Sequence, residues 1–154
     1  KLSYISKKSD INIEELINWF RESLFNKKVD LFKPDYYFLE NLNLHHSAII
    51  SAAPLEDLLS IAGYEFIQNF SSEGVFSSCK DKTYELSKLK VKFEDICKKF
   101  IFIGDTPSDM KSAKKAKFEF IPISKWSCYY WPIEIYPYQL DNLNNLFENP
   151  ICQK

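Results

Sequence analysis

The chain has 154 residues, with 20 lysines and arginines against 21 acids and a formal net charge of -1, so its overall charge does not draw it toward nucleic acid or an anionic membrane surface. Hydrophobic residues make up 45% and aromatics 16%, which supports a packed core and excludes the disordered class. Arg21 is the sole arginine, whereas sequence-reading nucleic-acid modules lean on arginine for bidentate contacts.

Ile13, Leu16, Ile17, Phe20 and Leu24 recur at helical spacing and predict a helix over residues 12–25. Asn12 is its expected cap, with Glu15 as capping-box partner. After the Lys33-Pro34-Asp35 interruption a second short helix is expected over 36–42. His46 to Pro54 reads as a buried strand ending near Ser51. Pro54 then opens a helix toward Ala62, and Gly63 closes it.

Residues 66–70 read as a short strand and 71–79 as a loop. Residues 83–89 read as a helix with Tyr84, Leu86 and Leu89 facing inward. The strongest strand signal is 100–103, followed by a helix from Pro107 to about Lys117 and a strand over 118–123. Trp126 to Pro137 is aromatic and proline-rich, and 140–147 suits a closing helix. Trp126, Tyr129, Tyr130 and Trp131 are expected to cover a sheet edge or, if exposed, to anchor a protein partner. Strands alternating with helices predict an α/β fold, a parallel sheet flanked by helices, with ligands outside the carboxyl ends of the strands. Ser51 and Asp105 both sit at such ends.

The four cysteines, Cys79, Cys97, Cys128 and Cys152, form no Cys-x-x-Cys pair, and the two histidines, His45 and His46, are adjacent. No zinc-site spacing results, and reduced thiols in a cytoplasmic protein are the plain expectation. No apolar run reaches membrane-spanning length.

The stretch FIFIGDTPSDM, residues 100–110, ends an apolar strand on an acid. Thr106, Pro107 and Asp109 fit a capping box with proline at the first helical position. That accounts for Asp109 but not for Asp105, since a carboxylate at the end of an apolar strand is costly unless something pairs with it. Gly104 is expected to give the backbone freedom to turn. Carboxylates at the mouth of a sheet suit magnesium, with water and phosphate completing the shell. Phosphoryl transfer further needs donors and a fixed positive charge. Ser51 offers a hydroxyl and Lys82 a charge.

In this order the residues resemble the haloacid dehalogenase superfamily, in particular its phosphatase-like members. AIIS ending at Ser51 resembles the second motif, DKTYEL with Lys82 the third (Lys80 is the alternative register), and IFIGDTPSDM with Asp105 and Asp109 the fourth. The resemblance spans roughly residues 33–147. It implies a Rossmann-like core, a Mg2+ cofactor held by Asp105 and Asp109, phosphate binding by Ser51 and Lys82, and catalytic roles for Lys82, Asp105 and Asp109.

The family's first motif, Asp-x-Asp on an N-terminal strand, occurs nowhere in the sequence. Asp81-Lys82-Thr83 resembles the nucleophile motif of P-type ATPases, but no apolar strand precedes it. The expectation is therefore an N-terminally incomplete core, lacking the first strand and most of the cap, with residues 1–29 as a cap or linker remnant and 30–154 as the core. Complete, it would be a magnesium-dependent phosphatase of a small phosphorylated metabolite; these residues alone are expected to be inactive. The alternative is a non-catalytic binding or scaffolding domain on the same fold. Nucleic acid and membrane are not expected partners.

Overall fold

The computed structural model describes residues 7–8, 10–26, 34–70, 74–125 and 127–153, the side chains of 20 and 24–26 excepted. The expected boundary at Asp30 and the indole of Trp126 lie outside the described residues. The chain divides into two compact units, Lys1–Phe32 and Lys33–Lys154.

The first unit contains helix α1, Ile13–Asn26. Asn12 caps it, its side-chain oxygen accepting from the Glu14 N–H at 2.8 Å. Among the described residues no bond returns from Glu15, so the cap is single-sided. Leu16 and Ile17 are half-buried, while Ile13 and Trp19 are exposed.

The second unit opens with helix α2, Tyr36–Leu42, capped by Asp35, whose carboxylate accepts from the Phe38 N–H at 2.7 Å. Phe38 and Leu42, one turn apart, are both buried. The Phe38 ring meets Phe66 and Phe147 at centroid distances of 6.5 and 5.7 Å. Strand β1, Ile49–Ile50, follows. Helix α3, Leu55–Ala62, then begins at Pro54 and ends at Gly63, whose φ of 80° is the left-handed exit expected of glycine.

Residues 66–70 are not a strand. Helix α4, Tyr64–Gln68, and the turn that follows it carry them instead. Ile67 and Phe70 lie three apart and both are buried; a helical turn puts such a pair on one side, whereas a strand would send them to opposite faces. The presumed loop 71–79 contains strand β2, Val75–Phe76, which pairs in parallel with β1 (Ile49 opposite Val75, Ile50 opposite Phe76).

Helix α5, Lys82–Phe93, buries Leu86 and Phe93. Tyr84, expected inward, is exposed, its ring 5.3 Å from the Lys88 ammonium. Strand β3, Ile101–Gly104, leads into helix α6, Pro107–Ala116, which packs against α5. Lys117 ends α6 in the left-handed region at φ 60°. Strand β4, Glu119–Pro122, pairs in parallel with β3, from Ile101 opposite Glu119 to Gly104 opposite Pro122.

The closing helix is a shorter 3-10 turn, Leu143–Glu148, capped by Asn142. Leu140 is drawn away from it into a parallel bridge with Ile123, beyond the end of β4. Trp131 is buried, its ring 5.7 Å from Phe120 and 5.1 Å from Tyr136, but Tyr129 and Tyr130 are exposed.

The fold is thus mixed helix and strand with parallel pairing. The strands form two separate two-stranded sheets, β1–β2 and β3–β4, in place of the single sheet expected. Among the described residues no helix is long and apolar enough to cross a membrane, and all four cysteines are free.

Candidate functional site

Asp109 is the best-connected of the predicted residues. Its side chain is 4% exposed, and Lys82 Nζ lies 2.6 Å from Oδ1. Oδ2 accepts from the Thr106 hydroxyl at 2.7 Å and the Thr106 N–H at 3.2 Å, while Thr106 Oγ1 accepts from the Asp109 N–H at 3.2 Å. The predicted capping box is present, with Pro107 in the first turn.

Burial pushes the Asp109 carboxyl up, but the bonds from Lys82 and Thr106 outweigh it and hold the group below the usual carboxylate range. Asp105 is raised instead. Its half-burial is the main cause, and the neighbouring charge of Asp109 adds to it while Lys82 opposes. Two adjacent carboxyls are thereby driven in opposite directions.

Lys82 is the first residue of α5, placed there by the Asp81 cap, whose carboxylate accepts from the Thr83 N–H at 2.9 Å and the Tyr84 N–H at 3.3 Å. Its ammonium also lies 5.9 Å from the Phe102 ring of β3. Lys80 is exposed, so of the two motif lysines Lys82 is the one that reaches the acids.

Gly104 is needed for space, not for freedom to turn. Its φ is not positive, and a Cβ there would lie 2.5 Å from Asp109 Cβ and 2.9 Å from Cγ. The absence of a side chain lets Asp109 tuck against the end of β3.

Ser51 makes its hydrogen bonds within the turns that follow β1 and β2. Its N–H donates to the Phe76 carbonyl at 2.9 Å, its carbonyl accepts from the Cys79 N–H at 2.9 Å, and its hydroxyl oxygen accepts from the Ala53 N–H at 3.1 Å. Ser78, at φ 53°, donates its N–H to the Ala53 carbonyl at 2.8 Å. The turns after β1 and β2 are therefore stitched together, three residues before Lys82. Among the described residues no hydrogen bond joins Ser51 to Lys82, Asp105 or Asp109.

Ser127 is a site residue that sequence reasoning missed. Its hydroxyl donates to the Asp105 carbonyl at 2.5 Å and accepts from the Tyr129 N–H at 3.0 Å and the Trp131 indole N–H at 3.1 Å. The only signal was a small hydroxyl among aromatics. The histidines pack on aromatic rings: His45 lies tilted against Phe147 at 5.1 Å, with its Nδ1 2.7 Å from the Asn41 carbonyl, and His46 stacks on Phe93 at 4.7 Å.

As a donor set for magnesium the cluster is uneven. Asp105 fits, as a half-buried carboxylate at a strand end. Asp109 has both oxygens engaged by Lys82 and Thr106 and could ligate only by surrendering one of them. No group of three or more metal-ligating side chains is found among the described residues.

No family model, curated protein or solved structure matches the chain.

Proposed function

We propose that residues 33–154 are the greater part of a Rossmann-like, haloacid-dehalogenase-type core, and that the complete protein is a magnesium-dependent phosphatase of a small phosphorylated metabolite. The observation that carries this reading is the half-buried Lys82–Asp109 pair beside Asp105, at the carboxyl end of a parallel strand. Open α/β sheets bind ligands at that position.

In this reading Asp109 is a positioning residue. It fixes the Lys82 ammonium, and Lys82 and the Ser51 hydroxyl hold the phosphoryl oxygens. Asp105 would hold the magnesium, which when bound supplies positive charge against those oxygens. None of these residues replaces the absent Asp-x-Asp, so the 154 residues bind but do not turn over. The four free cysteines fit a reducing, cytoplasmic setting.

The test is titration of magnesium together with orthovanadate as the phosphate mimic, followed by calorimetry, on the native chain and on Asp105→Asn. Mutually dependent binding that disappears in the variant is expected. Absence of binding in the native chain would overturn the reading in favour of a scaffolding domain, for which the exposed Tyr129 and Tyr130 provide contact surface. Brisk hydrolysis of p-nitrophenyl phosphate by the native chain would show that the nucleophile is not missing.

A further inference from the structure

Parallel strands send their following segments out at one end, and in α/β folds ligands bind at that end. Strand β4 ends beside Asp105. Gly104 pairs with Pro122, and the Ile123 N–H donates to the Gly104 carbonyl at 3.0 Å. The segment that follows β4 therefore emerges at the same mouth as the acid, and it carries Tyr129 and Tyr130.

The Ser127 hydroxyl holds that segment in place. Its oxygen is 2.5 Å from the Asp105 carbonyl oxygen and 3.0 Å from the Tyr129 nitrogen. One atom thus separates the main chain of the acid from the backbone of Tyr129. The Trp131 indole donates to the same oxygen, and its ring is buried. Tyr129 stands between these two constrained neighbours.

The Tyr129 ring itself has no comparable packing duty. Tyr129 is 53% exposed and Tyr130 82%. Among the described residues neither ring meets another aromatic ring or an ammonium group, whereas Trp131 packs on Phe120 and Tyr136. An exposed ring on a constrained backbone loses little freedom when a flat ligand covers it, which favours stacking there. An aliphatic phosphate would leave the ring in water.

We propose that Tyr129 sets the substrate class of the phosphoryl site: an aromatic phosphate monoester whose ring stacks on Tyr129 while Lys82 and Ser51 hold its phosphate, an assignment that rests on the reading of Asp105, Lys82 and Ser51 as a magnesium and phosphate site. The aromatic group can be joined to the phosphate directly, as in an aryl ester, or through a sugar, as in a nucleoside monophosphate. Both present the flat π-face that the tyrosine recognises.

The probes are two matched pairs, phenylphosphonate against cyclohexylphosphonate and adenosine 5′-monophosphate against ribose 5-phosphate. Each is titrated by calorimetry, with magnesium, into the native chain and into Tyr129→Ala, Tyr129→Phe and Tyr138→Ala. In at least one pair the aromatic member should bind the native chain about tenfold more tightly, the size of one aromatic stack. Tyr129→Ala should abolish that preference and Tyr129→Phe should keep it. Tyr138→Ala should keep it too, since Tyr138 is exposed on the same segment but makes no bond to Ser127 among the described residues. In proton NMR the aromatic ligand's ring protons should move upfield on binding to the native chain and not on binding to Tyr129→Ala.

A preference in the phosphonate pair assigns a directly joined ring, and a preference in the nucleotide pair alone places the ring one sugar away. No preference in either pair overturns the proposal, as does a preference that survives Tyr129→Ala. Vanadate binding is read separately. Where vanadate binds and no preference appears, the stacking role fails alone; where vanadate does not bind either, the phosphoryl site fails with it.

Discussion

The ammonium of Lys82 and the carboxylate of Asp109 meet at 2.6 Å across 27 residues of sequence, one at the start of α5 and the other in the first turn of α6. The contact joins two helix N-termini that also pack against each other. Asp109 is nearly inaccessible and Lys82 about a quarter exposed, so the pair falls between the surface and buried limits. Lys82→Met should lower stability by about 2 kcal/mol, less than the full cost of orphaning a buried charge because Thr106 still donates to Asp109. The midpoint of urea unfolding measures it, and an unchanged midpoint would show that the pair contributes nothing net.

The two acids should leave opposite marks on the pH dependence of stability. Asp109 has its folded pKa below the unfolded value. Its contribution is therefore fully present above the ordinary carboxylate range and is lost as pH falls through the folded pKa. Asp105 has its folded pKa above the unfolded value, so it withdraws stability as pH rises from the unfolded pKa through the folded one. Asp105→Asn should raise the neutral-pH unfolding midpoint, and Asp109→Asn should lower it and flatten the acid limb. Urea titrations from neutral to acid pH decide both; matching curves for the two variants would refute the assignment.

Gly104→Ala should be costly although alanine suits the backbone angles there. The new methyl meets Asp109 Cβ at 2.5 Å, closer than carbon atoms tolerate, and overpacking of this kind costs about 1–3 kcal/mol. The thermal midpoint should fall, and the pH dependence due to Asp109 should fall with it, because relief of the clash displaces that side chain.

Ser127→Ala removes a hydroxyl that bonds to the Asp105 carbonyl, the Tyr129 N–H and the Trp131 indole. Leaving a buried donor unmet costs about 1–3 kcal/mol, and Trp131 is buried. The expected signature is a red shift of Trp131 emission, read in a background with Trp19 and Trp126 changed to Phe. Emission that does not move would mean the indole finds another acceptor.

Much of this arrangement was legible before any coordinates. Local chemistry announces itself locally: Thr106, Pro107 and Asp109 spelled out their capping box, and Gly63 its helix end. The errors came where distant packing decides. Residues 66–70 read as a strand until Phe38 is known to lie against Phe66, and Val75–Phe76 is too short to signal a strand without β1 beside it. Within the site, the acid, its cap and the lysine could be picked by type and order. The Ser127 bond to Asp105 could not, because a serine that binds a carbonyl 22 residues away leaves no periodic trace. The role of Gly104 is not legible in the sequence, because steric room is a property of the neighbour, and Asp109 is not adjacent in the chain.

The Ser127 hydroxyl gives the C-terminal aromatic segment a fixed attachment point. A single oxygen fastens the Trp131 indole and the Tyr129 backbone to the main chain of Asp105. Through that one oxygen the Tyr129 backbone and the main chain of Asp105 share an anchor, which places the root of the exposed tyrosine face beside the strand end that carries the acid.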